Sequence, residues 1–318
     1  MGTRTVLAAI GCGALSALLF ASLLAVPALG IVLSNFAALP VMAVGLAAGS
    51  TAALVAGAAA AGLLAAWVDV GWSLGFLIAF GAPALYVVRR ALARRTDPAT
   101  GAVLWAEPGD VLVRLVWIGA GIVLLAAVLV SGTEDGLRGL IRTAVGEAAP
   151  FVAGMAGGGA FDRDAFVSAM VTMLPGPAIA GWILFTIANA ALAQGLLMRM
   201  GRNMRPPMRV SEVEVPFWTA PAFAIACFAW AASPTLVGWY GFHVASVLAV
   251  AYVVAGLSVI HAWAATQRMR LGILVAAYGS LLIFAPATVV VAGIGFIEHW
   301  ARLKRRFGRT GRDLEDRT

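Results

Sequence analysis

The chain has 318 residues, of which 62% are hydrophobic and only 12% charged. A soluble domain carries roughly twice that charged fraction, so the composition excludes a soluble globular fold and demands an integral membrane protein. Long unbroken apolar runs exclude an outer-membrane barrel, whose strands alternate apolar and polar residues, and leave the helical, multi-spanning kind. The formal net charge of +7 is carried by arginine except at Lys304, and the arginines cluster at the ends of apolar runs. That is the positive-inside pattern, not a nucleic-acid-binding face.

Residues 5–26 read as the first span. "IGCG" around Cys12 superficially matches a lipoprotein cleavage site, but the apolar run before it is too short for a signal-peptide core and continues past it, so the segment is expected to stay uncleaved. Cys12 and Cys227 both lie in apolar runs, and no disulfide framework is indicated. Residues 27–39, holding Asn35, read as an apolar but irregular connection. Residues 40–67 would make a single helix of about 42 Å, longer than a bilayer core of roughly 30 Å. "GST" at 49–51 is the weak point, and two short spans meeting there in a tight hairpin are expected. A span over 72–88 closes on "RRALARR", a polar loop with Pro98 and Pro108 follows, and 111–130 spans again.

Residues 131–165 are polar-interrupted. Leu137, Leu140, Ile141, Ala144 and Val145 share one helical face, Thr133 is a candidate N-cap, and Glu134 and Asp135 suit the helix dipole. This predicts an amphipathic helix at the membrane surface, followed by a flexible joint in "GMAGGGAFDRD". The apolar run 166–198 breaks at "LPGP" and spans from about Ala178, and the basic loop "RMGRNMRPPMR" follows. Residues 216–234 are apolar but short and proline-flanked, and 236–266 and 271–297 are long spans joined by "QRMR". The basic loops at 89–95, 199–209 and 302–312 are expected to be cytoplasmic. Counting every run gives nine crossings and leaves one basic region outside. Reading 216–234 as a partial, interfacial or re-entrant segment gives eight, with both ends inside and only Arg268 and Arg270 against the rule. The expectation is an all-α, polytopic integral membrane helical bundle of about eight spans, nine being the other count. It forms one transmembrane domain over residues 1–300, with an external loop at 131–165 and a basic cytoplasmic tail at 301–318.

Small residues recur at spacings of four: Ala9, Gly13 and Ala17 in the first span, and Gly45 with Gly49 later. Such residues let helix backbones approach closely in lipid, either within the chain or as a docking face for another membrane subunit. Asp69 in "WVDVGW" reads as an interfacial turn in a tryptophan belt, or as a carboxylate at the mouth of an outward-facing cavity. Asn189 and Gln194 share a span, His243 lies beside Trp239 and Tyr240, and His261 lies in a span with no acid one or two turns away. The spacings HExxH, CxxC, GxSxG and GxxxxGK[ST] are absent, so neither an enzyme, a cofactor, a metal site nor an internal ATPase is expected. Near the end, "AGIGFIEHWARLKRRF" reads as a topological anchor, with Trp300 at the interface and Arg302, Lys304, Arg305 and Arg306 holding the end in the cytoplasm. Glu298 is spaced for an ion pair with Arg302 worth about 0.3–0.5 kcal/mol.

Two parts carry a resemblance. "GLSVIHAW" and "GIGFIEHWARLKRR" resemble the closing spans of the YybS-like family of uncharacterised bacterial membrane proteins (domain of unknown function 2232), through the spacing of Gly295, Glu298, Trp300, Lys304 and Arg305. Glu298 departs from an expected aspartate and Ala301 from an expected aromatic. Residues 37–64 resemble the proline loop, short helix, glycine turn and short helix of S components of energy-coupling-factor transporters. The resemblance implies an S-component-like bundle in the bacterial inner membrane that binds a small molecule. Asn35, Asp69, Trp72 and His243 would line an outward cavity beneath residues 27–39, and an energising subunit would dock on the small-residue faces. The alternative is a non-transporting scaffold in envelope or division assembly, favoured by the scarcity of polar groups in the spans. Partners expected are the lipid bilayer, another membrane subunit and a small-molecule ligand.

Overall fold

A computed structural model of the chain describes residues 1–133, 135–155, 161–206, 210–304 and 307. It is 81% helical and 2% strand, an all-α polytopic bundle. Among the described residues seven helical stretches are long and apolar enough to cross a membrane, and a bent pair near the end makes an eighth by length and composition. The residues group into two compact units, Met1–Val111 with Leu184–Met208, and Leu112–Ile183 with Arg209–Thr318.

The first unit contains α1 (Thr3–Ala25), α2 (Pro27–Ser34), α3 (Ala38–Ala48), α4 (Ser50–Trp67), α5 (Val70–Phe76) and α6 (Ala82–Ala91). The small-residue face of α1 packs on α4. Ala9, Ser16 and Ala17 are buried, and a Cβ built on Gly13 would lie 2.4 Å from the Ala56 carbonyl oxygen. Close backbone approach of this kind holds helices together in lipid. The hairpin at "GST" is present: Gly49 takes φ +97° between α3 and α4, a conformation cheap only for glycine. Across it a Cβ on Gly45 would meet the Ala53 Cβ at 2.7 Å. Residues 27–39 are not irregular. Pro27 opens α2 at a position where its missing N–H costs nothing, and only a short break separates α2 from α3, so Ala28–Ala48 qualifies as one span. An apolar backbone in a bilayer must satisfy its own hydrogen bonds, and helix does so. Val70–Ala91 is one span containing a π-helical stretch at Leu77–Gly81, and Phe20 of α1 packs among Trp72, Phe76 and Phe80.

The polar loop after α6 is a small hairpin, β1 (Arg94–Thr96) paired antiparallel with β2 (Val103–Trp105). It leads into α7 (Pro108–Leu129), where Asp110 pairs with Arg90 of α6 at 2.8 Å. The loop after α10 (Pro175–Arg199) folds onto this hairpin. Buried Arg205 donates to the carbonyls of Ala91 and Ala106, at 3.1 Å each. Two basic stretches far apart in sequence therefore meet at one end of the unit.

The second unit is built on α12 (Leu236–Ala264), whose His243, Val247 and Tyr252 are fully buried. Near its middle, a Cβ on Gly119 of α7 would touch Ile179 and Ile183 of α10 and Val247 of α12. α11 (Thr219–Ala232) runs antiparallel along the first half of α12. Thr219 Oγ1 lies 3.0 Å from the Tyr252 hydroxyl at one end, and Gly241 and Gly238 abut Trp230 and Ser233 at the other. α13 (Arg270–Ile283) and α14 (Ala285–Ala301) are bent by 119°. α14 packs antiparallel on the second half of α12: a Cβ on Gly256 would lie 1.9 Å from the Val291 oxygen, and one on Gly295 1.9 Å from the Tyr252 oxygen.

One expectation stands and one changes. Residues 216–234 contain α11, a 14-residue helix too short to count among the candidate spans, which lies lengthwise on α12 from Tyr252 to Gly238. Residues 271–297 are not one straight span. The helix stops at Phe284, α14 restarts with Pro286 in its first turn, where the ring is tolerated, and the two glycine contacts hold α14 back against α12.

The amphipathic element is α8 (Gly136–Met155), followed by α9 (Arg163–Met173). Its stripe only partly holds: Leu137 and Val145 are buried, whereas Leu140 is 56% exposed. Thr133 is not the cap. Its hydroxyl donates to the Val130 carbonyl, and the chain enters α8 through left-handed Asp135 and Gly136. Glu134 lies outside the described residues, as does most of the glycine-rich joint.

The glycine contacts give a matched test. Gly256→Ala and Gly295→Ala should each destabilise the purified protein by about 1–3 kcal/mol, since they overpack a closed backbone contact. Gly293→Ala, which meets open space, should be neutral in the same detergent denaturation series.

Candidate functional site

Polar side chains gather in a groove where α8, α9 and the head of α12 meet. α9 begins at Asp162, whose Oδ1 accepts the Ala165 N–H at 3.0 Å, so Asp164 falls in its first turn. One turn on, Ser168 follows on the same face, and Thr172 after it donates to the Ser168 carbonyl. α8 presents Arg138 and Arg142 at a spacing of four, hence on one face. Trp239 closes the third side from the first turn of α12. Together these residues line a half-open groove of about 430 Å3.

The groove walls are fixed from below. The Arg138 guanidinium stands over the Trp239 ring, 5.1 Å from its centroid, a cation–π contact. The Trp239 indole N–H donates to the Val171 carbonyl at 3.2 Å. Under Trp239 lies His243, edge to face at 4.2 Å between centroids. Its Nδ1 accepts the N–H of Gly176 at 3.1 Å, and its Nε2 has no hydrogen-bond partner. Gly176 packs so closely that a Cβ there would lie 2.6 Å from the His243 backbone. Arg142 pairs with Asp135. Arg138 has no carboxylate partner among the described residues, and Asp164 no cationic one.

The sequence-derived candidates are placed differently. Asp69 is the N-cap of α5, its Oδ1 accepting the Trp72 N–H at 3.0 Å, and the Trp72 ring packs on Phe20. Asn35 uses its amide on the Ile31 carbonyl, while its own carbonyl accepts from buried Asn189. These three belong to the first unit and His243 to the second. Ala9, Gly13, Ala17 and Gly45 are consumed in packing inside the first unit, and Gly49 makes the turn.

At the far end Trp300 is exposed and set edge-on against Phe217 and Phe296. Glu298 does not pair with Arg302. Arg302 ends α14 in a left-handed conformation, and the Glu298 carboxylate accepts the Lys304 N–H instead. The Lys304 ammonium donates to the Val213 carbonyl at 2.9 Å. Arg305 and Arg306 lie outside the described residues. Among the described residues no group of three His, Cys, Asp or Glu side chains is placed to hold a metal ion. Reading the sequence for the apolar stripe of α8 passed over Arg138 and Arg142. The available signal was an i, i+4 arginine pair in a loop expected on the arginine-poor side.

Compared with known families, residues 14–298 match the model described as Predicted membrane protein (DUF2232). The chain belongs to this family. The DUF2232 match begins inside α1 and ends in α14, so the groove and the glycine contacts of α12 all lie within it. No curated protein and no solved structure matches the chain.

If Asp69 acts as a cap, Asp69→Ala should cost about 1 kcal/mol of stability and Asp69→Asn only a fraction of that, by thermal denaturation in detergent. Equal losses would point to a need for the negative charge itself.

Proposed function

We propose that the protein is a multi-pass binding subunit of the bacterial inner membrane, which holds a small charged molecule in the groove between α8, α9 and α12 and has no ATPase of its own. The observation that carries this reading is the convergence of Arg138, Arg142, Asp164, Ser168 and Trp239 on one cavity of about 430 Å3. Ligand sites are concave, of a few hundred Å3, with a few converging polar groups. Both ends of the chain are cytoplasmic in this reading. Arg205 ties the loop after α10 to the end of α6, which carries Arg89 and Arg90, and Lys304 ties the tail to Val213 beyond the same loop. Gathered arginines mark the cytoplasmic face, which leaves α8 and α9 outside.

The hairpin about Gly49 keeps the likeness to S components as part of the proposal, since such a subunit binds and leaves the energy input to others. A partner does not dock on the α1 face that α4 already covers. A second reading, a non-transporting scaffold for envelope assembly, is favoured by the exposed apolar side chains Leu140 and Phe151 on α8.

Calorimetric titration of the purified protein in mild detergent with small phosphates and carboxylates separates the two. Binding is expected, weakened about tenfold or more by Arg138→Ala, because a hydrogen bond to a charged group is worth roughly 1.5–3 kcal/mol. Asn35→Ala should leave it unchanged. No heat with any charged ligand would favour the scaffold.

A further inference from the structure

We infer that the groove takes a zwitterion, an anionic phosphate held by Arg138 and a primary ammonium held by Asp164, and that its source is the headgroup of an ethanolamine phospholipid in the outer leaflet. This rests on the groove being a binding site and names what it binds.

The charges decide the class. Arg142 is neutralised by Asp135, which leaves one uncompensated cation, Arg138, and one uncompensated carboxylate, Asp164, on the walls of the same cavity. A simple anion would satisfy Arg138 and be repelled by Asp164, and a simple cation would do the reverse. A molecule carrying both charges satisfies both, and guanidinium suits phosphate oxygens particularly well. The Ser168 hydroxyl, which makes no bond of its own among the described residues, supplies a donor for a further phosphate oxygen. Asp164 asks for N–H donors, which a primary ammonium has and a quaternary one lacks.

Position decides the source. The groove ends at Thr172, three residues before α10 starts its span at Pro175, and Trp239 stands in the first turn of the span α12. Tryptophan at that depth marks the headgroup layer. Next to the groove, Met173, Leu236 and Val237 are exposed apolar side chains, a surface along which acyl chains can lie while the headgroup is held.

The test is competitive retention. Delipidated protein is reconstituted in vesicles of equal parts phosphatidylethanolamine, phosphatidylglycerol and phosphatidylcholine, and the lipids it keeps are counted by native mass spectrometry. Soluble O-phosphoethanolamine and inorganic phosphate are titrated calorimetrically in parallel. Retention of phosphatidylethanolamine about tenfold over the other two is expected. Asp164→Asn should remove that preference and Arg138→Gln should lower retention of all three. Ser168→Ala, on the exposed face of α9, gives a milder loss in a variant that keeps every charge, and unchanged helicity by circular dichroism shows that each variant is folded. Binding of O-phosphoethanolamine without lipid preference would uphold the zwitterion and overturn its lipid source. Binding of inorganic phosphate alone, dependent on Arg138, would overturn the zwitterion and leave the binding subunit standing. No binding of any probe overturns both.

Discussion

Lipid tails are as apolar as leucine, so nothing drives these helices together except close packing and the few hydrogen bonds they exchange. That constraint accounts for where the glycines and alanines lie. On α1 and α4 it produces the face of Ala9, Gly13, Ala17, Ala52, Ala56 and Ala60, with backbone nearly touching backbone at Gly13. On α12 it produces Gly238 and Gly241 beneath α11, and Gly256 facing α14. A larger residue at any of these contacts would separate the helices by more than dispersion attraction tolerates.

The path of the chain follows from those contacts. Because α12 has glycines along both halves, it receives two antiparallel neighbours in succession, α11 on its first half and α14 on its second, with Tyr252 between them touching Thr219, Phe223, Phe296 and His299. α14 turns back on α12 instead of continuing from α13, and beyond its end Lys304 reaches the Val213 carbonyl.

How far the sequence disclosed this depended on the range of each signal. The all-α bundle was legible because hydrophobicity over twenty residues is a strong cue, and the Gly49 turn because one glycine sits at the only weak point of a run too long to be a single span. The break at Phe284 was not legible. Pro286 in a first turn looks like any span start, and what bends the pair is a contact with Gly256, thirty residues upstream of it. The β1–β2 hairpin escaped notice because three-residue strands are too short to show an alternating pattern. Arg205 was read as one of a row of loop charges. Nothing local sets it apart from Arg199 or Arg202, and its burial depends on where the Ala91 and Ala106 carbonyls happen to lie. The groove was missed for a similar reason: Arg138, Asp164 and Trp239 come from three helices, and only folding brings them together.

The polar side chains inside the bundle explain why its chemistry lies at the edge. Ser73 donates to the Ala61 carbonyl, Asn189 to the carbonyls of Asn35 and Phe185, Ser258 to Ala255, and Thr219 bonds Tyr252. In hydrocarbon an unmet donor costs several kcal/mol, so these groups are committed to holding helices and offer little to a ligand passing through. Within the helices, among the described residues, Ser16 Oγ, Asn189 Oδ1, His243 Nε2 and His299 Nε2 are left over, scattered over four helices and not gathered on one path. Uncommitted charge is affordable only where water reaches, beyond the ends of the spans. There Arg138 and Asp164 have no partner of opposite charge among the described residues, and Trp239, fixed by Val171 and His243, joins their surface to the packed interior of α12.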